Sequence, residues 1–288
     1  GTNGQITAQG EHASQLGLHK RFAHMLLNAN GEQLQDACLL AALLTDTPKN
    51  LRNNDDLSRS LSQLKANLKQ YTSQQSQAAS WKRQVSSQQI STNINANTHR
   101  PLSIAQLLAL AFPDRIARLR NNKQTPVNSD NTQYLLSSGR GAQLHPSSAL
   151  ISEQWLVVSD IEDNQQGGSI IRKAIAIDER ELLELFSEHF EIKNHIEWNA
   201  KGQLIAEERT YLGSIIIDQK RLDNLSDDQW QHAWLSYFKD NGIKSLNWTE
   251  DCLQLQARLQ LAFEYHNKAN SEPWPDFSQQ ALIDNIES

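Results

Sequence analysis

The spacing of apolar residues changes twice along this chain of 288 residues, and these two changes constrain its fold most strongly. Up to Arg120 the apolar residues recur every three or four positions, which is typical of helices that pack by one face. Between Gln133 and about Asp218 they form short runs rich in Val, Ile, Leu and Tyr, which indicate strands. From Leu222 the helical spacing returns. The sequence therefore predicts an α+β protein of several domains, in which a β region separates two helical regions.

The first helical region contains a long amphipathic helix that begins at Leu57. Its apolar positions lie three or four residues apart, at Leu57, Leu61, Leu64, Leu68 and Tyr71. Arg59, Lys65 and Lys69 lie off that stripe, so the outer side of the helix is basic. A further helix follows, with Trp81 expected in its core. The segment 101–120 is predicted to be helical to its end, with Arg115, Arg118 and Arg120 in the last turns, where cations suit the helix dipole.

The β region begins after a polar linker, residues 121–131. Strand-like runs at "QYLLS", "AQLH", "WLVVSDI" and "SIIRKAIAI" are followed by a helix, "ERELLELFSEHF", a short strand, "IEWN", and one long strand, "LIAEERTYLGSIII". Strands, one helix and then a hairpin follow the order of an OB barrel. Another small mixed barrel fits the same order, so both folds remain open from order alone.

A polar stretch within the β region carries the candidate binding residues Arg140, His145, Ser147 and Ser148. An imidazole, two hydroxyls and backbone N–H groups can bind an unstacked base edge or a phosphate, and an arginine can neutralise the nucleic-acid backbone. The structural alternative is a tight turn, in which Pro146 fixes the chain and the serine hydroxyls cap local amides.

Charge is distributed unevenly along the chain. Residues 1–150 hold 15 Lys and Arg against 8 Asp and Glu, whereas residues 151–288 hold 12 against 25. The basic front is where a polyanion could dock. The acidic part carries Trp230 and Trp234 at helical spacing, which is typical of a core but also of an anchor for a protein partner.

Signatures of catalysis and metal binding are missing from the sequence. It has no GxxxxGK[ST] loop and no DExH box, and its acid pairs have no histidine placed beside them. We therefore predict no catalytic residue, metal site or cofactor within these 288 residues. Cys38 and Cys252 have no ligand partners at suitable spacing, which argues against zinc and against a disulfide. No apolar run is long enough for a membrane helix and no signal peptide begins the chain, so we predict no membrane association and a cytoplasmic location.

Several segments, in their order along the chain, resemble one family. "QITAQG", "LGLHKRFAHMLLNA", "LLAALLTD", "LALAFPDRIARLR", "YLLSSGRGAQL" and "WLVVSDIED" are similar to the region after the motor domains in bacterial HrpB-type ATP-dependent RNA helicases of the DEAH family. "HPSSAL" is similar to a turn in the OB domains of DEAH helicases, and "SLNWTEDCLQLQARLQL" and "WPDFSQQAL" resemble the opening of the C-terminal domain of the HrpB type. The chain departs from the family at Lys20 and Asn247, where proline is common, and segment 71–99 is more polar than usual.

The resemblance implies a domain order and an incomplete chain. Residues 1–100 would be the end of a winged helix and a helical ratchet-like (HA2) domain, residues 101–218 an OB-fold domain, and residues 219–288 the start of a mostly helical C-terminal domain. Two RecA-like motor domains, with ATP and Mg²⁺, would precede them. The resemblance thus implies an accessory region that guides single-stranded RNA for a motor encoded elsewhere, with Arg140, His145, Ser147 and Ser148 as RNA contacts and Arg59, Lys65 and Lys69 as further candidates.

Two other functions remain open at this point. The first is a free-standing OB-fold nucleic-acid-binding protein with no motor domains. The second is a protein-interaction adaptor that binds its partner through the acidic C-terminal part, where the burial of Trp230 and Trp234 would distinguish an anchor from a core.

Overall fold

Helices precede and follow a central run of strands in the computed structural model, which describes residues 14, 16–91, 101–120, 133–163, 168–242, 248–268, 275–278 and 281. Within these residues the helices are α1 (Lys20–Leu27), α2 (Gly31–Thr45), α3 (Leu57–Ala66), α4 (Thr72–Ser91), α5 (Ile104–Ala111), α6 (Glu179–Phe186), α7 (Asp227–Asn241) and α8 (Glu250–Lys268). The strands are β1 (Ile116–Leu119), β2 (Gln133–Leu136), β3 (Gly141–Gln143), β4 (Trp155–Asp163), β5 (Ser169–Ala176), β6 (Glu191–Trp198), β7 (Leu204–Leu212) and β8 (Ile215–Arg221). The predicted mixture of helices and strands is confirmed. The predicted linker 121–131 lies outside the described residues.

The predicted amphipathic helix exists but is shorter than expected. Asp56 caps α3, since its carboxylate accepts hydrogen bonds from the backbone N–H groups of Ser58 and Arg59 at 2.8 and 3.2 Å. Leucines 57, 61 and 64 are buried, as their spacing predicts. The α-helix ends at Ala66, a 3₁₀ turn spans Leu68–Gln70, and α4 then begins. The predicted stripe therefore continues from α3 through the 3₁₀ turn to Tyr71, just before α4, and Lys69 lies in that turn.

The segment 101–120 is only half helical, which corrects the sequence prediction. Ser103 and Gln106 form a capping box at the start of α5, and the helix ends at Ala111, before Pro113. Proline removes a backbone donor and fixes φ, so the chain leaves the helix here. Ile116–Leu119 then forms β1 instead of a last helical turn. Arg115, Arg118 and Arg120 consequently do not lie in the last turn of an α-helix.

Five strands close into a barrel in the order β1-β2-β3-β5-β4. Strands β1 to β3 form an antiparallel meander, β4 pairs with both β1 and β5, and β3 closes the barrel through a parallel pairing of Gln143 with Ile170. Alternate residues point inward and pack together, including Tyr134, Leu156 and Val158. The Tyr134 hydroxyl donates to the carbonyls of Leu150 and Glu153 at 3.1 and 2.8 Å, so the one polar atom of this side chain is satisfied.

The strands after α6 do not belong to the barrel, so the helix and hairpin that the sequence predicts as its last elements lie outside it, which corrects the predicted order. Helix α6 follows the last barrel strand, and β6, β7 and β8 form a separate three-stranded sheet. The predicted single long strand is a hairpin, because Gly213 adopts φ +58° and turns the chain between β7 and β8. A Cβ atom at Gly213 would lie 2.3 Å from the Ser137 carbonyl oxygen, so the turn also requires the absence of a side chain.

A buried lysine joins the barrel to the loop that precedes α3. Lys173, on β5, is 7% exposed, and its ammonium donates to the carbonyls of Leu51, Arg52 and Asn54 at 2.8, 3.0 and 2.6 Å. Next to it, the Ala174 backbone N–H donates to the Asp55 carbonyl at 2.9 Å. Burial lowers the pKa of Lys173, while Asp55 and Asp160 oppose that shift. The loop and β5 are thus joined by three hydrogen bonds from the lysine ammonium and by one backbone hydrogen bond.

The described residues divide into two compact units. The first unit contains the described residues up to Glu191 together with Tyr211–Ile216, and the second contains those of Ile192–Thr210 and from Ile217 onward. In the second unit the indole N–H of Trp198 donates to the Ala233 carbonyl at 2.8 Å, and the Trp198 ring lies 4.7 Å from that of Trp234. The domain boundaries predicted near residues 100 and 218 stay predictions.

Two further sequence expectations concern membranes and cysteines. Among the described residues, no helix combines the length and apolar character required to cross a bilayer. Cys38 is a free, buried thiol whose pKa burial raises to about 12, and Cys252 is free and exposed. Neither is oxidised to a disulfide here.

Candidate nucleic-acid interface

The loop after β3 is a tight turn held between two buried leucines. Leu144 and Leu150 are 2% and 4% exposed and pack in the barrel core. Between them, the Ser148 backbone N–H donates to the His145 carbonyl at 2.9 Å, and the Ser148 hydroxyl accepts from the Leu150 backbone N–H at 3.1 Å. The predicted turn, with a serine hydroxyl capping a local amide, is therefore confirmed.

His145 and Ser147 form a polar pair on the exposed side of this turn. His145 Nδ1 lies 2.7 Å from Ser147 Oγ and accepts the Ser147 backbone N–H at 3.3 Å. Because Nδ1 accepts this hydrogen bond, the neutral ring carries its proton on Nε2, which makes Nε2 a donor. The turn thus presents an imidazole N–H and hydroxyl groups, which can bind a base edge or a phosphate oxygen.

Arg140 lies in the turn between β2 and β3, beside the connection between β4 and β5. Its guanidinium forms an ion pair with Asp163, the last residue of β4, and donates to the Ser169 hydroxyl at 2.9 Å, where β5 begins. The Arg140 side chain is 52% exposed and that of Asp163 is 70% exposed. Solvent screens such a pair strongly, so it contributes little to stability and can be exchanged for another anion.

Strand β3 separates Arg140 from the other candidates of the same polar stretch. Arg140 precedes β3, whereas His145, Ser147 and Ser148 follow it. Five residues in extended conformation span roughly 16 Å, so the two groups lie at opposite ends of this strand. The four residues do not form one cluster. They could contact one nucleic-acid strand only if that strand passes along the barrel over several nucleotides.

The basic side of α3 is partly neutralised. Arg59 and Lys65 are exposed on this helix, and Lys69 is exposed on the following turn. The Lys65 ammonium lies 2.9 Å from Asp36 Oδ2 on α2, with half of the lysine side chain exposed. The three cations therefore occupy one short segment, as predicted, but one of them already has an acidic partner.

Sequence reasoning missed the roles of two arginines around β1. The Arg115 guanidinium donates to the Ser159 carbonyl at 2.7 Å and lies over the Phe112 ring. Arg118 donates to the Ile216 carbonyl and lies 5.1 Å from the centre of the Trp155 ring. The signal in the sequence is Pro113, because a proline after Phe112 excludes continuation of α5 and places both arginines outside a helix.

Among the residues that the structure describes, no three or more His, Cys, Asp or Glu side chains are grouped so that they could hold a metal ion.

No family model matches the chain. Comparison with solved structures shows similarity to one class of protein, the DExH-box and DEAH helicases. The particular relative is the ATP-dependent RNA helicase HrpB of Escherichia coli, 28% identical over 289 aligned residues, which are 99% of this chain. A crystal structure of this DExH-box NTPase superimposes with a TM-score of 0.61, at 28% identity over 98% of the chain, and a second, of the same DEAH/RHA helicase, with 0.57, at 26% over 99%. The resemblance inferred from the sequence is confirmed.

The similarity covers nearly all of this chain but only a third of its relatives. The aligned region is 32% of the curated helicase, and 32% and 33% of the two chains with crystal structures. This chain therefore spans about a third of the length of the relatives that it matches.

Proposed function

We propose that this chain is an accessory RNA-binding region of an HrpB-like ATP-dependent RNA helicase. In this proposal α1 to α4 belong to the end of a winged helix and a ratchet-like domain, α5 and the barrel belong to an OB-fold domain, and α7 and α8 begin a further domain. Single-stranded RNA would pass along the barrel toward RecA-like motor domains, which would bind ATP and Mg²⁺ and supply all of the catalysis. The single observation that carries the proposal is similarity to an RNA helicase along 99% of the chain.

The barrel supports this function by its topology. A closed barrel of five strands, with a meander and a parallel pairing of β3 with β5, supports the proposed OB fold, which is a five-stranded barrel. OB folds bind oligonucleotides on the face of strands 2 and 3 and through the loops between strands 1 and 2 and between strands 4 and 5. Arg140 lies in the β2–β3 turn and contacts residues at both sides of the β4–β5 connection. Its position therefore supports a role as a phosphate contact.

The turn after β3 supports a second contact to the same strand. His145 and Ser147 are exposed, and their local hydrogen bonds hold the imidazole in one tautomer without using its Nε2 donor. Arg59, Lys65 and Lys69 would add phosphate contacts from the helical side. A cytoplasmic location, predicted from the sequence, stays a prediction.

Binding of a 12-nucleotide single-stranded RNA, measured by fluorescence anisotropy at several salt concentrations, tests the proposal. If Arg140 contacts a phosphate, Arg140→Ala should weaken binding roughly threefold to tenfold for every sequence, because one charge-assisted contact is lost. The salt slope should fall by about 0.7, the value for one phosphate of a single strand. Asp163→Asn should strengthen binding, because the competing carboxylate is removed.

Arg180→Ala is the matched control, since Arg180 is exposed on α6, away from the barrel turns. Its loss removes the same charge and should leave the salt slope unchanged. Equal binding by the wild-type chain and Arg140→Ala, with equal slopes, would remove Arg140 from the proposed interface. Failure of the wild-type chain to bind RNA at low salt would contradict the proposed function itself.

A second candidate, a protein-interaction adaptor, is favoured by one observation. Trp230 and Trp234 in the acidic part are 42% and 37% exposed, so neither is a fully buried core residue. Half-exposed tryptophans are common anchors of protein interfaces. If this is their role, Trp230→Ala should abolish capture of a defined partner without changing RNA affinity.

A further inference from the structure

A cleft in the first unit combines arginines with aromatic rings. Its volume is about 500 Å³, within the usual range for small-molecule sites. It lies between the start of α1, the end of α2, α4 and the turn after α5. The side chains that determine its chemistry are His19, Arg21, Phe22, Trp81, Phe112 and Arg115. None of them was among the residues that the sequence suggested for RNA binding.

Two guanidinium groups lie beside a single carboxylate at this cleft. Arg21 donates to Asp114 Oδ2 at 3.1 Å and to the Ala111 carbonyl at 3.2 Å, while Arg115 Nε lies 3.9 Å from the same Asp114. Two cations thus share one anion, which leaves a net positive charge. The Arg21 guanidinium holds the pKa of Asp114 below its usual range, so this carboxylate stays ionised at neutral pH.

The guanidinium groups are held in place and still reach solvent. Both lie over the Phe112 ring, with the Arg21 and Arg115 Cζ atoms 5.0 and 5.5 Å from its centre. Arg115 is also fixed by its hydrogen bond to the Ser159 carbonyl. Their side chains are 32% and 33% exposed. Since a guanidinium has five N–H donors, each can still bind an anion from solvent.

Aromatic rings form the other wall of the cleft. Phe22 is partly exposed and contacts the Phe112 ring at 6.2 Å and the His19 ring at 5.9 Å. The His19 ring accepts the Arg21 backbone N–H through Nδ1 at 3.4 Å, so its neutral form is a donor at Nε2. An aromatic surface beside a cation is the arrangement that proteins use to stack a base and bind its phosphate.

We propose that this cleft binds one nucleotide of single-stranded RNA, with the base against Phe22 and the phosphate on Arg115 and Arg21. This inference rests on the proposed RNA-binding function and adds to it a specific subsite away from the barrel turns. The alternative structural role, in which the Arg21–Asp114 pair only joins α1 to the turn after α5, predicts altered stability and no effect on RNA binding. A free nucleotide has the same chemistry as a nucleotide within RNA, so the experiment includes both.

Two substitutions separate charge from stacking in the anisotropy assay with the 12-nucleotide oligouridylate. Arg115→Gln retains a donor for the Ser159 carbonyl but removes the cation, and should weaken binding about fivefold and lower the salt slope by about 0.7. Phe22→Leu retains apolar volume but removes the ring, and should weaken binding at least fivefold at an unchanged slope. Arg52→Gln is the matched control, because Arg52 also donates to a backbone carbonyl, that of Thr47 at 3.3 Å, but lies outside the cleft.

Photocrosslinking of the wild-type chain gives a readout that a purely structural role would not produce. Oligouridylate with 4-thiouridine at single positions should crosslink to the peptide that contains Phe22, and this result does not depend on the folding of any variant. Excess uridine monophosphate should compete only weakly. If folded Arg115→Gln and Phe22→Leu bind RNA as tightly as wild type, or if the crosslink lies only on the barrel, the subsite is refuted while the proposed function stands.

Two other outcomes would overturn the proposed RNA subsite. Protection of the cleft by uridine monophosphate without any RNA crosslink would identify a site for free nucleotides and overturn the RNA assignment. If the wild-type chain does not bind oligouridylate at any salt concentration, both the subsite and the proposed function fail.

Discussion

The two compact units differ in how completely they bury their large apolar side chains. In the first unit Trp155 and Tyr134 are 1% and 0% exposed within the barrel. In the second, Leu261 and Tyr265 on α8 are 71% and 73% exposed. The first unit also lies mostly in the basic part of the chain, and the second in the acidic part.

This difference indicates which unit is organised around its own core. The barrel and helices of the first unit bury a continuous apolar interior, which keeps their surface arginines at fixed positions. The second unit depends on a small aromatic cluster, in which Trp198 and Trp234 contact Tyr237 and Phe238. Substitutions should therefore have larger effects on stability in the first unit than in the second.

The largest effect is expected for Lys173→Met. Three backbone carbonyls, those of Leu51, Arg52 and Asn54, would lose their donor in a buried site, and we expect a loss of about 4 kcal/mol in the free energy of unfolding. Urea denaturation followed by circular dichroism measures it. Lys69→Met, at an exposed lysine, is the control and should change stability by less than about 0.5 kcal/mol. Equal effects of the two substitutions would contradict a structural role for the buried ammonium.

A slightly smaller effect is expected for Gly213→Ala. The added Cβ would clash with the Ser137 carbonyl oxygen, and alanine also disfavours φ +58°, so we expect a loss of about 3 kcal/mol. Gly202→Ala separates the two causes, because Gly202 has φ +70° and no atom within 4 Å of a Cβ. It should cost about 1 kcal/mol in the same denaturation experiment. A similar cost for both variants would mean that the clash is relieved at no cost by a small backbone shift.

The second unit should respond less strongly to the loss of its best-packed tryptophan hydrogen bond. Trp198→Phe removes the donor to the Ala233 carbonyl but retains an aromatic ring, and we expect a loss of about 1 kcal/mol. Hydrogen exchange of α7 amides should report it, since α7 carries Ala233. Trp230→Phe, at a half-exposed position, should leave exchange nearly unchanged. If Trp198→Phe lowered the free energy of unfolding as much as Lys173→Met does, the expected difference between the two units would be wrong.

Acid should weaken the first unit through Asp114, and this is the smallest effect. The pKa of Asp114 is lowered in the folded protein, so its ion pair contributes stability above the ordinary carboxyl pKa of 3.8 and loses it as pH falls through the lower, folded value. Since the side chain is 45% exposed, solvent screening keeps the effect small. The Asp114→Asn variant has no carboxyl group to titrate at this position, so the urea midpoint of this variant should change less with pH below 3.8. The same pH dependence in both proteins would exclude Asp114 as a source.

Part of the fold follows from local sequence alone. The leucine stripe from Leu57 is a local signal, and it predicts the start and the buried face of α3 but not its end. Strand β1 was missed because Ile116–Leu119 continues the helical spacing of α5, whereas its conformation is determined by pairing with β2 and β4. The β7–β8 hairpin was missed for a similar reason, since a single glycine between apolar residues does not specify φ.

The candidate site was predicted by residue type but not by arrangement. The exposure of Arg140, His145 and Ser147 agrees with the polar pattern, yet the sequence could not show that β3 separates Arg140 from the other two. The pairing of Arg140 with Asp163, 23 residues away, depends on the parallel pairing of β3 with β5 and on the register of β4 with β5. The cleft at Arg21 and Arg115 was missed because its two arginines come from segments more than 90 residues apart, and only tertiary packing brings them to one carboxylate.

The bonds of Lys173 also set an order of events during synthesis. Its acceptor at Leu51 lies 122 residues earlier in the chain. At about 5 to 20 residues per second, the ribosome makes Lys173 roughly 6 to 24 seconds after that carbonyl. During this interval the loop before α3 can only bind water or a chaperone, so newly made α3 should remain sensitive to protease until β5 emerges.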